Sequence, residues 1–370
     1  MRYFIVAGER SGDLHASNLV KALKNNDPEA EVFGWGGELM EAAGAKVLRH
    51  YKDISFMGFA EVITHFTKIV KALKQCKKDI ENVKPDVFIP VDFAGFNMKI
   101  AGFANKRNIP VYYYISPKVW AWNQSRAYKI KKLVQHMFVI LPFEVGFYKK
   151  YGVNSHYIGN PILDAIASFR PNPSFGKNLP APVIAILPGS RKQEVRSMAS
   201  EVTTVIKNNP HYQFVIAGVS SLPHELYKPF LSYGNTSIVY DKTYDLLNIA
   251  KAAVVTSGTA TLETALFEVP QVVVYKANPI TYMIVKRLIK VDWISLVNLI
   301  ADKGLVPELI QDKFTPDLVN VALDKLVRDT PERAAQLSGY KELKKTMGES
   351  GASEKAAALM VDLLRDSFKN

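Results

Sequence analysis

The sequence predicts an α/β protein built from two doubly wound, parallel-sheet domains. Short apolar runs rich in Val, Ile, Phe and Tyr alternate with helical patterns over most of the chain, which is the rhythm of βαβ units. The runs are continuous rather than alternating in polarity, as strands covered on both faces require. A proline-rich stretch at 159–182 breaks the rhythm near mid-chain and has the composition of a linker.

The elements follow in order. Before the linker, strands are expected at 3–7, 32–35, 87–91, 111–115 and 137–140. After it they are expected at 183–187, 213–217, 237–239, 253–256 and 271–275. Helical patterns intervene, among them 13–23, 97–106, 194–207 and 261–267. Beyond about 315 the chain reads as helical and charged. The expected domains are 1–165 and 166–344, with a last helix at about 345–370 that either caps the structure or returns to the first domain. A ligand is expected in a cleft between the domains, at the carboxyl ends of the strands.

Composition narrows the chemistry. The chain has 370 residues, 48% hydrophobic and 22% charged, a globular balance. Its formal charge of +12 points to a polyanionic partner: nucleic acid, an acidic membrane surface or phosphorylated small molecules. A single cysteine, Cys76, excludes an internal disulfide and a multi-cysteine metal site. The longest apolar run, 137–143, is far short of the ~18 residues of a membrane span. The amino terminus lacks the apolar core of a signal peptide, so a cytoplasmic protein with at most peripheral membrane contact is expected. There is no phosphate-binding loop of the NTPase kind, no G-x-G-x-x-G after the first strand, no H-E-x-x-H and no Asp-x-Asp pair. No nicotinamide cofactor and no metal are expected.

Five segments carry candidate chemistry. Glu9, Ser11, Gly12 and Asp13 lie where the first strand meets the first helix. A tight turn with a helix cap accounts for the last three but not for Glu9, a charge at the mouth of a buried strand. Asp92 directly follows an apolar strand; it is a candidate general base on a hydroxyl, or a cap. Trp120 and Trp122 follow a Ser116-Pro117 turn and form an apolar wall, either core or the flank of an acyl chain or sugar. Gly189, Ser190 and Arg191 end a strand and open a helix, a place for phosphate oxygens. Ser257, Gly258 and Thr259 repeat that arrangement, with Glu263 one turn later to accept from ribose hydroxyls. Two such sites in one half suggest a sugar-nucleotide diphosphate.

Together the segments resemble the lipid-A-disaccharide synthase family of bacterial glycosyltransferases, which have two Rossmann-like domains (the GT-B class). The likeness runs from Ala7 to about Glu308. It includes A-G-E-x-S-G-D at 7–13, G-G at 36–37, M-G-F-x-E-V at 57–62, K-P-D-V at 84–87 and D-x-x-x-F-N at 92–97. Further on come Y-x-S-P-x-V-W-A-W at 114–122, L-P-F-E at 141–144, L-P-G-S-R at 187–191, S-G-T-A-T-L-E at 257–263 and S-L-V-N-L at 295–299. Three positions depart from the family pattern: Gly95 stands for a second acidic residue, Asn123 for Arg and Asn160 for His.

The resemblance implies transfer from UDP-2,3-diacylglucosamine to 2,3-diacylglucosamine 1-phosphate, giving a β-1,6 disaccharide and UDP with inversion, in lipid A and lipopolysaccharide biosynthesis. It implies catalytic roles for Asp92, Glu9 and Arg191. It implies a UDP site in the second domain at Gly189, Ser190, Arg191, Ser257, Gly258, Thr259, Glu263 and Asn298. It implies a substrate and acyl side in the first domain at Ser11, Gly12, Asp13, Met57, Asn97, Ser116 and Trp120. No cofactor or metal is implied. The expected partners are lipid-linked substrates and the anionic inner face of the inner membrane, not nucleic acid; a homodimer is left open. On a helical wheel of 59–78, the bulky apolar residues Phe59, Val62, Ile63, Phe66, Ile69 and Val70 face away from Lys68, Lys71, Lys74 and Lys78. That stripe either packs on the sheet or lies in the membrane interface. Other readings are a different GT-B enzyme acting on UDP-sugars, such as a cell-wall lipid transferase or an epimerase, and a basic nucleic-acid-binding protein.

Overall fold

The computed structural model describes residues 1–53, 66–179, 182–278, 282–283, 287 and 290–369. They form two compact units: residues 1–164 with 349–370, and residues 165–348.

In the first unit the strands are β1 (Arg2–Ala7), β2 (Glu31–Gly36), β3 (Lys46–His50), β4 (Val87–Val91), β5 (Tyr112–Tyr114), β6 (His136–Val139) and β7 (Ser155–Tyr157). They form one parallel sheet in the order β3-β2-β1-β4-β5-β6-β7. Alternate residues of β1 serve opposite cores. Tyr3, Ile5 and Ala7 pack with the helix Arg10–Asn26, through Ala16, Leu19 and Leu23, and with Met360 and Leu364 of the last helix, Ala352–Ser367. Phe4 and Val6 pack on the other face with Cys76 and Ile80 of the helix Phe66–Val83 and with Ile100 of the helix Ala94–Lys106. This two-sided burial is why β4 is apolar throughout and β1 is apolar from Tyr3 onward.

The second unit contains β8 (Val183–Leu187), β9 (Gln213–Gly218), β10 (Thr236–Tyr240), β11 (Ala252–Thr256), β12 (Gln271–Tyr275) and β13 (Glu308–Ile310). Its sheet is also parallel, in the order β10-β9-β8-β11-β12-β13. Ile184 and Ile186 face one core and Val183, Ala185 and Leu187 the other.

Each of the ten strands expected from the sequence corresponds to an observed one. The three not anticipated, β3, β7 and β13, all lie at sheet edges. Their residues are mostly half-buried and they lack a continuous apolar run. Strand order also fixes where ligands go. In a doubly wound sheet the connections on the two sides of the reversal point diverge and leave a crevice at the strands' carboxyl ends. The reversal lies between β1 and β4 in the first unit and between β8 and β11 in the second.

At one edge of the first sheet, His136 Nδ1 lies 3.0 Å from His156 Nε2. Burial and the neighbouring ring hold His136 down at about 4, and burial lowers His156 as well. The shared hydrogen bond needs an unprotonated nitrogen. An unfolded chain, with histidines near their ordinary value of 6.5, therefore binds more protons than the folded one at mildly acidic pH. The thermal midpoint is expected to fall as pH drops from about 6.5 toward 4, and His136→Gln is expected to flatten that fall; melting curves across this range check it.

Candidate active site

At the first reversal point, the loops after β1 and β4 are held together by one buried side chain. Asn97 Nδ2 donates to the carbonyls of Val6 (3.3 Å), Val91 (3.2 Å) and Asp92 (2.9 Å). The Asp92 carbonyl also accepts from the Tyr113 hydroxyl at 2.6 Å. These bonds hold Asp92 and Phe93 at φ 43° and 47°, consecutive left-handed residues that a non-glycine chain adopts only under constraint. The kink lays the Phe93 ring over Gly8, where a Cβ would fall 2.2 Å from a ring carbon, so glycine alone fits.

The kink brings the Asp92 carboxyl under the influence of Glu9. Burial, then the Glu9 carboxylate, raise the proton affinity of Asp92, while Lys118 and a hydrogen bond from the Phe93 backbone oppose the rise. A carboxyl so placed is a stronger base than an ordinary aspartate.

The neighbouring predicted residues have defined partners. Asp13 is buried and accepts from the backbone N–H of Gly37 (2.6 Å), Leu39 (3.1 Å) and Met40 (3.2 Å). It thereby caps the helix Glu38–Ala42, which explains why Gly36-Gly37 accompanies it: a Cβ at Gly37 would lie 2.7 Å from an Asp13 oxygen. Gly12 is buried against Ala7, while Glu9 and Ser11 are exposed. Ser116 and Trp120 are buried, and both donate to Glu144 Oε1, Trp120 from Nε1 at 3.0 Å. Glu144 Oε2 accepts from Leu141 N at 2.9 Å. Met57, Phe59, Val62 and Ile63 lie outside the described residues. In the helix Phe66–Val83, Ile69 is buried rather than presented to a surface, and Val70 is half-buried.

At the second reversal point, Gly189, Ser190, Ser257, Gly258, Thr259 and Glu263 line one cavity of about 180 Å³. Gly189 takes φ 97° to turn the chain from β8 into the helix Lys192–Asn208. The backbone N–H groups of Ser190 and Arg191, expected to face phosphate, donate to Glu194 Oε2 at 3.0 and 3.1 Å. Arg191 extends into solvent, 82% exposed, and contacts Glu194 Oε1 at 3.2 Å. Ser257 Oγ donates to the Ile294 carbonyl at 2.8 Å. Glu263 accepts from the Tyr244 hydroxyl at 2.9 Å; burial raises its proton affinity and this bond lowers it. Asn298 is not among the cavity's lining residues: fully buried, it bonds Val306 and Glu308 and ties its helix to β13.

The sequence reading assigned no role to Glu144, Glu194, Lys118 or Tyr244. The two glutamates each sit three residues after a helix N-cap, a capping-box spacing that the sequence does show. Nothing in the linear pattern pairs Tyr244 with Glu263 or Lys118 with Asp92.

Two parallel α/β units, each with a polar site at its reversal point, define a protein of the GT-B class. The same architecture occurs in the glycotransferase of kitacinnamycin (TM-score 0.67, 16% identity, 98% of this chain and 99% of that one). It occurs also in a UDP-GlcNAc 2-epimerase from Neisseria meningitidis bound to UDP-GlcNAc (TM-score 0.60, 14% identity, 99% and 100%). Sequence goes further than fold. A lipid-A-disaccharide synthase from Geobacter metallireducens is 37% identical over 373 residues, covering 98% of this chain and 97% of that protein. The profile of the lipid-A-disaccharide synthetase family matches residues 3–361, and the chain belongs to that family.

Glu144 gathers three buried donors, so truncation would orphan all of them. Glu144→Ala is expected to cost about 3 kcal/mol or more, and Glu144→Gln, which keeps one acceptor oxygen, about 1 kcal/mol; denaturant unfolding gives both values.

Proposed function

We infer that this chain is a glycosyltransferase that condenses UDP-2,3-diacylglucosamine with 2,3-diacylglucosamine 1-phosphate to the β-1,6-linked lipid A disaccharide. Family membership over nearly the whole chain supports the reaction. The observation that carries the mechanism is the left-handed kink holding Asp92, a partly desolvated carboxyl, at the reversal point of its sheet beside Glu9.

In this reading Asp92 takes the proton from the acceptor's 6-hydroxyl as that oxygen bonds to the donor's anomeric carbon. The bond from that carbon to the UDP oxygen breaks on the opposite face, its electron pair leaves with the β-phosphate, and the configuration inverts. The second unit supports the leaving group: the hydroxyls of Ser190 and Thr259 and the Arg191 guanidinium supply positive dipoles and charge to the diphosphate, while the Ser257 hydroxyl is engaged by the Ile294 carbonyl. Glu263, anchored by Tyr244, accepts from ribose hydroxyls. No step of this reading is assigned to a metal.

Asp92→Asn is expected to lower turnover by ~10²–10⁴-fold without lowering the melting temperature, since the fold no longer holds a buried charge. Because Glu9 raises the proton affinity of Asp92, Glu9→Gln is expected to move the acid limb of the kcat/KM profile to lower pH. Saturating chelator in the same assay should leave the rate unchanged. Activity of Asp92→Asn within a few-fold of wild type would remove Asp92 as the base.

Membrane association belongs to the same proposal. Both substrates are lipids, and no helix among the described residues is long and apolar enough to cross a bilayer. The apolar residues Phe59, Val62 and Ile63, together with the chain's +12 charge, are the features assigned to an anionic surface at the inner face of the inner membrane. Replacing these three residues with Ser is expected to release the protein from anionic vesicles in a sedimentation assay, with the melting temperature unchanged.

A further inference from the structure

We propose that a cavity in the first unit, walled by the helices Ala94–Lys106 and Arg126–Leu133, binds the phosphate of the acceptor sugar through Lys99, Arg126 and Lys129. The assignment rests on the reaction inferred above and adds the group that distinguishes the acceptor from a neutral sugar lipid.

The cavity measures about 230 Å³ and has Gly95 and Pro117 among its lining residues. Lys99, Arg126 and Lys129 line it, and no carboxylate does. Some exposed cations of the unit pair with carboxylates: Arg2 with Glu31, Lys52 with Glu38 and Arg107 with Glu81. Among the described residues none of the three cavity cations has such a partner. All three are exposed, so water screens their mutual repulsion while an anion seated among them is attracted by all three at once. A phosphomonoester, at −1.5 to −2 near neutral pH, is the small anion that needs several cations at once.

Geometry adds specificity. Arg126 and Lys129 stand three residues apart and so share a helix face. The Arg126 guanidinium lies 4.6 Å from the centroid of the Trp122 ring, which fixes the plane of a group able to bind two phosphate oxygens together. A Cβ built on Gly95 would meet nothing within 4 Å, so the space above that residue is open.

Position links the cavity to the base. Ala94 and Gly95, both in its wall, follow Asp92 by two and three residues, which bounds the backbone separation at roughly 7–10 Å. The acceptor carries its reacting hydroxyl and its phosphate on opposite sides of a single glucosamine ring. One ring thus has its hydroxyl at Asp92 and its phosphate among the three cations.

The test compares the acceptor with and without its 1-phosphate, assayed in neutral-detergent micelles. Wild type is expected to prefer the phosphorylated form. Arg126→Ala and Lys129→Ala are each expected to lower kcat/KM for that form by ~10-fold or more, mainly through KM, with little change for the dephosphorylated form. The preference then narrows by the same factor, while UDP affinity and melting temperature hold. Arg126→Lys, which keeps charge but not the fork, should recover part of the loss. An unchanged preference in the double alanine variant would overturn the assignment. So would equal losses on both acceptors, or release from anionic vesicles with an unchanged preference, which would mark a surface for lipid headgroups instead. If wild-type protein forms no disaccharide from either acceptor, the reaction itself is rejected, and this site with it.

Discussion

A single buried amide, that of Asn97, holds the carboxyl ends of β1 and β4 in one piece. Its nitrogen serves three carbonyls, and its own oxygen has no partner among the described residues. Leaving that oxygen unpaired costs about 1–3 kcal/mol, and each left-handed residue it fixes costs a similar amount. The return is positional. Asp92 cannot relax toward extended backbone without breaking bonds to Asn97 and Tyr113 and lifting Phe93 off Gly8. Ile115, a β-branched residue at φ 63°, shows the same concentration of strain one strand further along, where β5 turns into the Ser116-Pro117 loop. The packed sheet beneath, with β4 wholly apolar and β1 apolar from Tyr3 to Ala7, supplies the stability that this edge consumes.

The second unit solves a different problem by different means. In the proposed reaction a base must be fixed, whereas a diphosphate must be received and then released. Gly189 is the left-handed residue at its reversal point, where no side chain resists the conformation. The amides that would greet an anion are already satisfied by Glu194. An arriving phosphate therefore competes with a carboxylate tethered to the same helix, so net affinity reflects an exchange of acceptors and not a first neutralisation of bare N–H groups.

The parts of this architecture that were legible in sequence are those where one local cause dominates. A strand buried on both faces must be apolar throughout, so β1, β4, β8 and β11 announce themselves, and the polar residues that follow them mark the loops at the reversal points. Edge strands such as Ser155–Tyr157 have one partner and a half-wet face, so nothing in their composition separates them from loop. Side-chain partners were legible only when close in sequence. Glu194 caps the turn three residues before it, but the Asn97 bond to Val6 spans 91 positions and the Tyr244 bond to Glu263 spans 19. Asp13 shows the converse: as a first-turn acid it invites a reading as a ligand group, yet its oxygens are committed to backbone amides 24 to 27 residues away. The apolar stripe beyond Phe66 was ambiguous for the same reason. Periodicity gives a helix its two faces but not what each face meets, and here Cys76 and Ile80 meet the sheet.

The path of the chain through the two units carries a consequence for how the protein comes into being. The second unit is an insertion, 165–348, within the first, whose final helix is drawn from the last stretch of the polypeptide. That helix covers Ala16, Leu19 and Leu23 with Met360, Val361 and Leu364. During synthesis the amino-terminal sheet emerges first but must wait, with one flank of its first helix uncovered, while more than half of the chain is made. The inserted unit, contiguous in sequence, can close before the one that precedes it. A nascent chain halted between residues 348 and 352 would carry a complete second unit and a first unit that still lacks its final helix, and would offer that greasy flank to chaperones.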